Sequence, residues 1–190
     1  MPPALPLVLD AAVLPLGELR AACLDGDLRM LGGFAFCSID VPESPMARAE
    51  ALAAAIPAGH VVERMSAAWV HGAHPAFPRP VQLCIRSTHR VRIRPSAARE
   101  VRQVVMADHE LKRLGSLQVT GWFRTAVDIV RSEEQFPRSV ADCVSTLLLA
   151  AGATPRDCAR EFDRVPHLPH KRRAQQRLAT LRGFGAVSRP

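Results

Sequence analysis

The sequence predicts a mixed α/β (α+β) chain: a small mixed sheet with helices, an N-terminal helix–hairpin unit and a helical C-terminal third. Three observations predict it. Apolar residues make up 48% of the 190 and charged residues 23%, the balance of a packed globular chain rather than a disordered one. Short runs of β-type alternation occupy the middle of the chain. Beyond residue 137 the apolar positions recur at helical spacing instead. This length suits one domain, or one with a small appendage. The appendage is expected at residues 1–41, as an arm plus helix–hairpin, and the α/β domain with its C-terminal helices at 42–190.

Pro2, Pro3, Pro6 and Pro15 make the first fifteen residues an extended arm. Leu16, Leu19, Ala22 and Cys23 then share one face of a short helix from Leu16 to about Leu24, which Asp25-Gly26 ends. Two strand-like runs, Asp27–Leu31 and Phe34–Ile39, flank Gly32-Gly33. Paired glycines between apolar runs signal a hairpin, because both central positions of a type I′ turn need positive φ. A helix followed by a hairpin is the second half of a winged helix, and it is also common in unrelated α/β folds. Met46–Ile56 reads as an alanine-rich helix capped by Ser44 and stopped before Pro57. His60–Val62 is a short strand. Ser66 to His71 makes a compact helix with Ser66 as N-cap and Gly72 closing it.

Val81–Ile85 is a strand, and Arg90-Val91-Arg92-Ile93-Arg94 a second one in strict alternation, with the three arginines on one face. Val101–Met106 is a third and Leu117–Val119 a fourth, with Asp108 and Glu110 in the turn before it. Thr120 caps a helix to about Arg131. Pro137–Ala151 is amphipathic and ends at Gly152. Thr154 caps the next helix, with Pro155 in its favoured first position, running to about Phe162. His167–Arg182 is a basic last helix. Trp69 and Trp122 are expected as core anchors.

Charge is distributed unevenly. Residues 1–63 hold three bases and eight acids, whereas residues 64–190 hold 22 bases and ten acids; 23 of the 25 bases are Arg. After Asp163 there is no acid at all. Asymmetry of this size points to a polyanion meeting the C-terminal two-thirds. A solvated basic surface without a partner is the competing explanation. No membrane span is expected, because the longest stretch free of Asp, Glu, Lys and Arg, Met65–Pro78, is too short and contains two prolines. The apolar N-terminus lacks the preceding basic residue of a secretory signal. Five cysteines without close pairs suit free thiols in a reducing cytoplasm.

Several segments, taken in order, carry a family resemblance. They are Glu18-Leu19-Arg20, Asp25-Gly26-Asp27-Leu28, Phe34-Ala35-Phe36-Cys37, Ser66-Ala67-Ala68-Trp69-Val70-His71-Gly72, Val81-Gln82-Leu83, and the run from Leu117 through Val119-Thr120 and Arg124-Thr125 to Asp128 and Arg131. Over roughly residues 16–150 the chain resembles the AbiEi-like antitoxins of actinobacteria. The resemblance implies a type IV toxin–antitoxin antitoxin, with an N-terminal winged helix for operator DNA and an α/β domain behind it. It also implies a nucleotidyltransferase-like toxin from a neighbouring gene, autorepression of the operon, and no catalytic constellation. The N-terminus departs from that pattern. Only fifteen poorly helical residues precede Leu16, and the helix in the recognition position offers Arg20 against Glu18 and Asp25. It is a degenerate reader or none.

Nucleic-acid contact is therefore expected from Arg90, Arg92 and Arg94, about 7 Å apart along one strand face, a spacing comparable to that of successive phosphates. Arg172, Arg173 and Arg177 of the last helix form the second group, Arg173 and Arg177 sharing a face. Other chemistries fit less well. The His71/His74 and His167/His170 pairs sit among prolines without cysteine partners, so no metal site is expected. Asp108, Glu110 and Lys112 with Glu100 superficially resemble a metal-dependent nuclease set. No nucleophile elbow, phosphate loop or dinucleotide motif occurs. The sequence thus predicts a non-catalytic, cytoplasmic DNA-binding regulator without cofactor. A protein-interaction module using the apolar arm and hairpin is the alternative.

Overall fold

The computed structural model describes residues 6–87, 96–164 and 169–184. At the N-terminus, Leu9 bridges Phe36 through two backbone bonds of 2.7 and 2.9 Å, ahead of α1 (Leu16–Asp25) and the antiparallel pair β1 (Leu28–Leu31) and β2 (Ala35–Ser38). Leu9, Leu19 and Phe36 form a small core between helix and hairpin, with Cys23 and Leu28 packed against it. Gly26, at φ +86°, ends α1 in the left-handed conformation. Gly32, at φ +58°, is needed for closeness as well: a Cβ there would lie 2.4 Å from the Phe34 ring and 3.0 Å from Trp69. The hairpin tip is thus seated on the larger unit, where Phe34 and Trp69 each stack edgewise on Phe77 at 4.9 Å.

The larger unit is a five-stranded mixed sheet in the order β5-β4-β3-β7-β6. Its central strand β3 (Val61–Val62) is antiparallel to β4 (Val81–Arg86) and parallel to β7 (Leu117–Thr120); β5 (Arg99–Val104) runs parallel to β4, and β6 (Leu111–Leu114) antiparallel to β7. Between β2 and β3, α2 (Pro45–Ala53) starts where Ser44 Oγ accepts the Ala47 amide at 3.2 Å, the predicted cap. Every residue of α3 (Arg64–Val70) is buried. Met65 and Ala68 face a helical core built by α4 (Trp122–Ser132), α5 (Arg138–Ala150), α6 (Pro155–Arg164) and α7 (Lys171–Phe184), while Ala67, Trp69 and Val70 face a second core on the sheet.

Four local expectations are corrected. Ser66 is no cap: its hydroxyl accepts the Gln82 amide at 2.9 Å, and α3 begins two residues earlier, after the extended Glu63. The Met65 amide goes instead to the Gln82 side chain at 2.7 Å. Thr120 does not cap α4 either, since Gly121 takes that position and the Thr120 hydroxyl bonds Thr125 at 2.7 Å. The strand expected at Val101–Met106 lies two residues earlier. Asp108–Glu110 form a 3-10 turn leading into β6, a strand that the sequence reading missed. The run Arg90–Arg94 and the start of the last helix at His167 lie outside the described residues.

Candidate nucleic-acid interface

The residues between β3 and α4 build a chain of buried charges. Glu63 is fully buried where β3 gives way to α3, and its Oε1 receives Arg102 Nε from β5 at 2.5 Å. Arg64, only 5% exposed, starts α3 at φ +47°, a left-handed conformation that costs a non-glycine residue about 1 kcal/mol. Its guanidinium is pinned there by Glu100 at 2.5 Å, Glu63 at 3.3 Å and Glu133 at 3.5 Å. Burial pushes the Glu63 and Glu133 carboxyls above their ordinary range, and the arginines beside them oppose that shift.

Asp128 is the hub on the α4 side. At 1% exposure it meets Arg124 Nε at 2.7 Å, Arg131 Nη2 at 3.1 Å and Arg102 Nη2 at 3.3 Å. Arg124 also bonds Glu110 at 2.8 Å. Arg124 and Asp128 stand at i, i+4 on α4, and the pair is buried as an anchor of α4 against β5.

Above the network lies a groove of two adjoining clefts. One, of about 460 Å³, is lined by Arg102, Arg131 and Asp128; the other, of about 650 Å³, by Lys112, Trp122 and Arg164; and both share Glu110, Phe123, Arg124 and Glu161. Five basic side chains thus face three carboxylates. Lys112 Nζ sits 4.6 Å from the centre of the Trp122 ring. Trp122 is half-buried, whereas Trp69, at 1% exposure, is the core anchor expected of it. Beside the groove, His71 Nε2 donates to the Thr120 carbonyl at 2.7 Å, and burial lowers its pKa to about 4.

The expected contact residues are placed as follows. Arg90, Arg92 and Arg94 lie outside the described residues. Arg172 is exposed on α7. Arg173 and Arg177 serve the end of α4, whose last carbonyls have no partner within their own helix. Arg177 donates to Val130 O at 2.9 Å and Glu134 O at 3.1 Å, Arg173 to Arg131 O at 3.3 Å. Arg177 is only 8% exposed and lies over the Phe136 ring, so its guanidinium is committed to packing. The nuclease set is dispersed: Asp108 pairs with Arg86, Glu110 with Arg124, and Glu100 with Arg64. Among the described residues, no three His, Cys, Asp or Glu side chains are grouped to hold a metal ion. Sequence reasoning missed Arg102, Arg131, Lys112, Arg164 and Phe123 as members of a groove. No local signal marked them: residues 102–131 hold five scattered bases against three acids, and Arg164 lies well beyond.

Among the described residues, no helix is long and apolar enough to cross a membrane. No protein-family model and no curated protein matches the chain. Among solved structures, the chain is similar to the RV2827C protein from Mycobacterium tuberculosis, at 18% sequence identity over 95% of this chain and 72% of that one. The TM-score of 0.46 is too low for that likeness to carry any statement about function.

Proposed function

We propose that this protein is a non-catalytic, antitoxin-like regulator of the type IV kind, cytoplasmic, which binds operator DNA through the groove beside α4. The observation that carries the binding is the groove's composition: Arg102, Arg124, Arg131, Lys112 and Arg164 outnumber Asp128, Glu110 and Glu161, with Phe123 and Trp122 between them. Phosphate neutralisation supplies most non-specific affinity for duplex DNA. Exposed Arg172 and the arginines at 90, 92 and 94 would extend the contact. The regulatory class itself rests on the resemblance over residues 16–150, which also supplies a nucleotidyltransferase-like toxin as the second partner. The N-terminal unit would contribute little to phosphate binding, because α1 carries one base against two acids and the hairpin tip is occupied by Trp69. The test is a gel-shift titration of the chain's own upstream DNA at several salt concentrations. Binding that weakens as salt rises supports the reading; absence of binding at low salt rejects it.

One observation favours a second reading, a protein-interaction module without nucleic acid. Leu24 is 89% exposed, Ile39 52%, Met30 49%, Val13 47% and Leu16 44%, all within the N-terminal unit. Co-purification with a neighbouring-gene product that survives nuclease treatment would support this reading, and loss of the partner on nuclease treatment would oppose it.

A further inference from the structure

One end of the groove holds more hydrogen-bond donors than the acceptors among the described residues use. Asp128 lies beneath that end and meets three guanidinium groups, two at Oδ1 and one at Oδ2. Two of the three have a second carboxylate: Glu63 holds Arg102 and Glu110 holds Arg124. Among the described residues, Arg131 has Asp128 alone as a carboxylate partner. Only its Nη2 is bonded, at 3.1 Å, and among the described residues the rest of its planar donor fork has no acceptor. Arg102 Nη2 is buried without a hydrogen bond, its ion-pair contact with Asp128 standing at 3.3 Å.

The other carboxylates of the lining are already taken, Glu110 by Arg124 and Glu161 by Arg164, each at 2.8 Å. Burial lowers the Arg131 pKa, and the neighbouring Arg102 and Arg124 push it the same way. An anion brought to this point would relieve that crowding of like charge. Guanidinium forks suit tetrahedral oxyanions because they can donate two parallel bonds.

We propose that the Arg102–Arg124–Arg131 end of the groove is an oxyanion subsite that receives a phosphate group, with Arg131 as its principal donor and Asp128 as the buried tether that orients all three arginines. The proposal deepens the nucleic-acid reading, and rests on it only in taking the phosphate to be that of a polynucleotide backbone. Free phosphate presents the same chemistry.

The experiment uses the full chain and three probes. Inorganic phosphate is titrated against thermal unfolding, with sodium chloride at matched ionic strength as reference. A saturable rise in Tm beyond that of chloride is expected. R131Q should need about tenfold more phosphate for the same rise, while R156Q, at an exposed position outside the groove, should behave as wild type. R131K, which keeps the charge and loses the fork, should fall between them. A response no greater than that of chloride, or an unchanged one in R131Q, overturns the subsite. If R131Q does not fold, broadening of the phosphorus NMR line by wild type and its reduction in R131K replace that comparison, and equal broadening in both overturns the subsite. A fluorescently labelled duplex oligonucleotide of the chain's own upstream DNA then separates the sources. Its displacement by phosphate assigns the subsite to a backbone phosphate. Phosphate binding without oligonucleotide binding upholds the subsite and removes the nucleic-acid reading alone.

Discussion

Replacing Asp128 by Asn keeps the shape of the side chain and removes the one charge that three arginines share. At about 3 Å and an effective dielectric of ~20, each of those contacts is worth roughly 5 kcal/mol before desolvation is counted. Much of that is cancelled by the cost of burying the ions, and removing one partner of a buried set loses about 3–5 kcal/mol. The arginine side chains keep 13–25% exposure, so water screens the unpaired guanidinium groups and the lower end applies. Urea denaturation followed by circular dichroism should therefore show D128N less stable by about 3 kcal/mol, with Tm lower by about 6–12 °C. D142N is the reference, because its i, i+4 contact with Arg138 is exposed and 3.8 Å long; it should change stability by less than about 0.5 kcal/mol. A loss below about 1 kcal/mol in D128N would refute the reasoning that this network holds β5 to α4.

Three further outcomes are expected. R177Q leaves the Val130 and Glu134 carbonyls at the end of α4 without their donor, and should cost about 2–3 kcal/mol in the same urea assay, whereas R172Q at an exposed position should cost under about 0.5 kcal/mol. His71 titrates at about 4 in the folded protein against an ordinary 6.5. The unfolded chain therefore takes up the proton first, and stability falls as pH drops from 6.5 towards 4, by at most about 3 kcal/mol from this residue. The wild-type pH profile of stability should be steeper in that window than that of H71Q; parallel profiles would contradict the assignment. Finally, Cys23 is half-exposed while the other four cysteines are buried, and burial pushes the thiols of Cys143 and Cys158 up to about 12. A thiol reagent should label one cysteine quickly in the native protein and all five in urea.

What the sequence made legible was local. Gly26, Gly32-Gly33 and Ser44 set turns and caps through their own backbones, so α1, the hairpin and α2 fall where their residues place them. Thr154 and Asp157 do the same for α6, exchanging bonds across its first turn. Readings failed where a distant partner claimed the residue first. Ser66 has the composition of a cap, yet the Gln82 amide, sixteen residues away, takes its hydroxyl. The groove is hidden for the same reason: Arg102 finds Glu63 across 39 residues, and only the pairing of β5 with β4 beside β3 brings them together. Arg173 and Arg177 are expected from sequence as phosphate contacts because nothing local marks the carbonyls they bond, which belong to α4 and its exit, 42 to 47 residues back. Net charge counts such arginines as available; burial and pairing decide which ones are.

The most direct test of nucleic-acid recognition by the groove is the salt dependence of DNA binding, measured by fluorescence anisotropy on wild type and on a K112Q/R164Q double variant. Both side chains are exposed at the groove and outside the buried network, so the variant should fold as wild type does. If the groove follows the phosphates, wild type binds at low salt, and the variant binds more weakly with a log–log salt slope shallower by about 1–2. Identical affinities and slopes in the two proteins, or no binding by wild type, would contradict it.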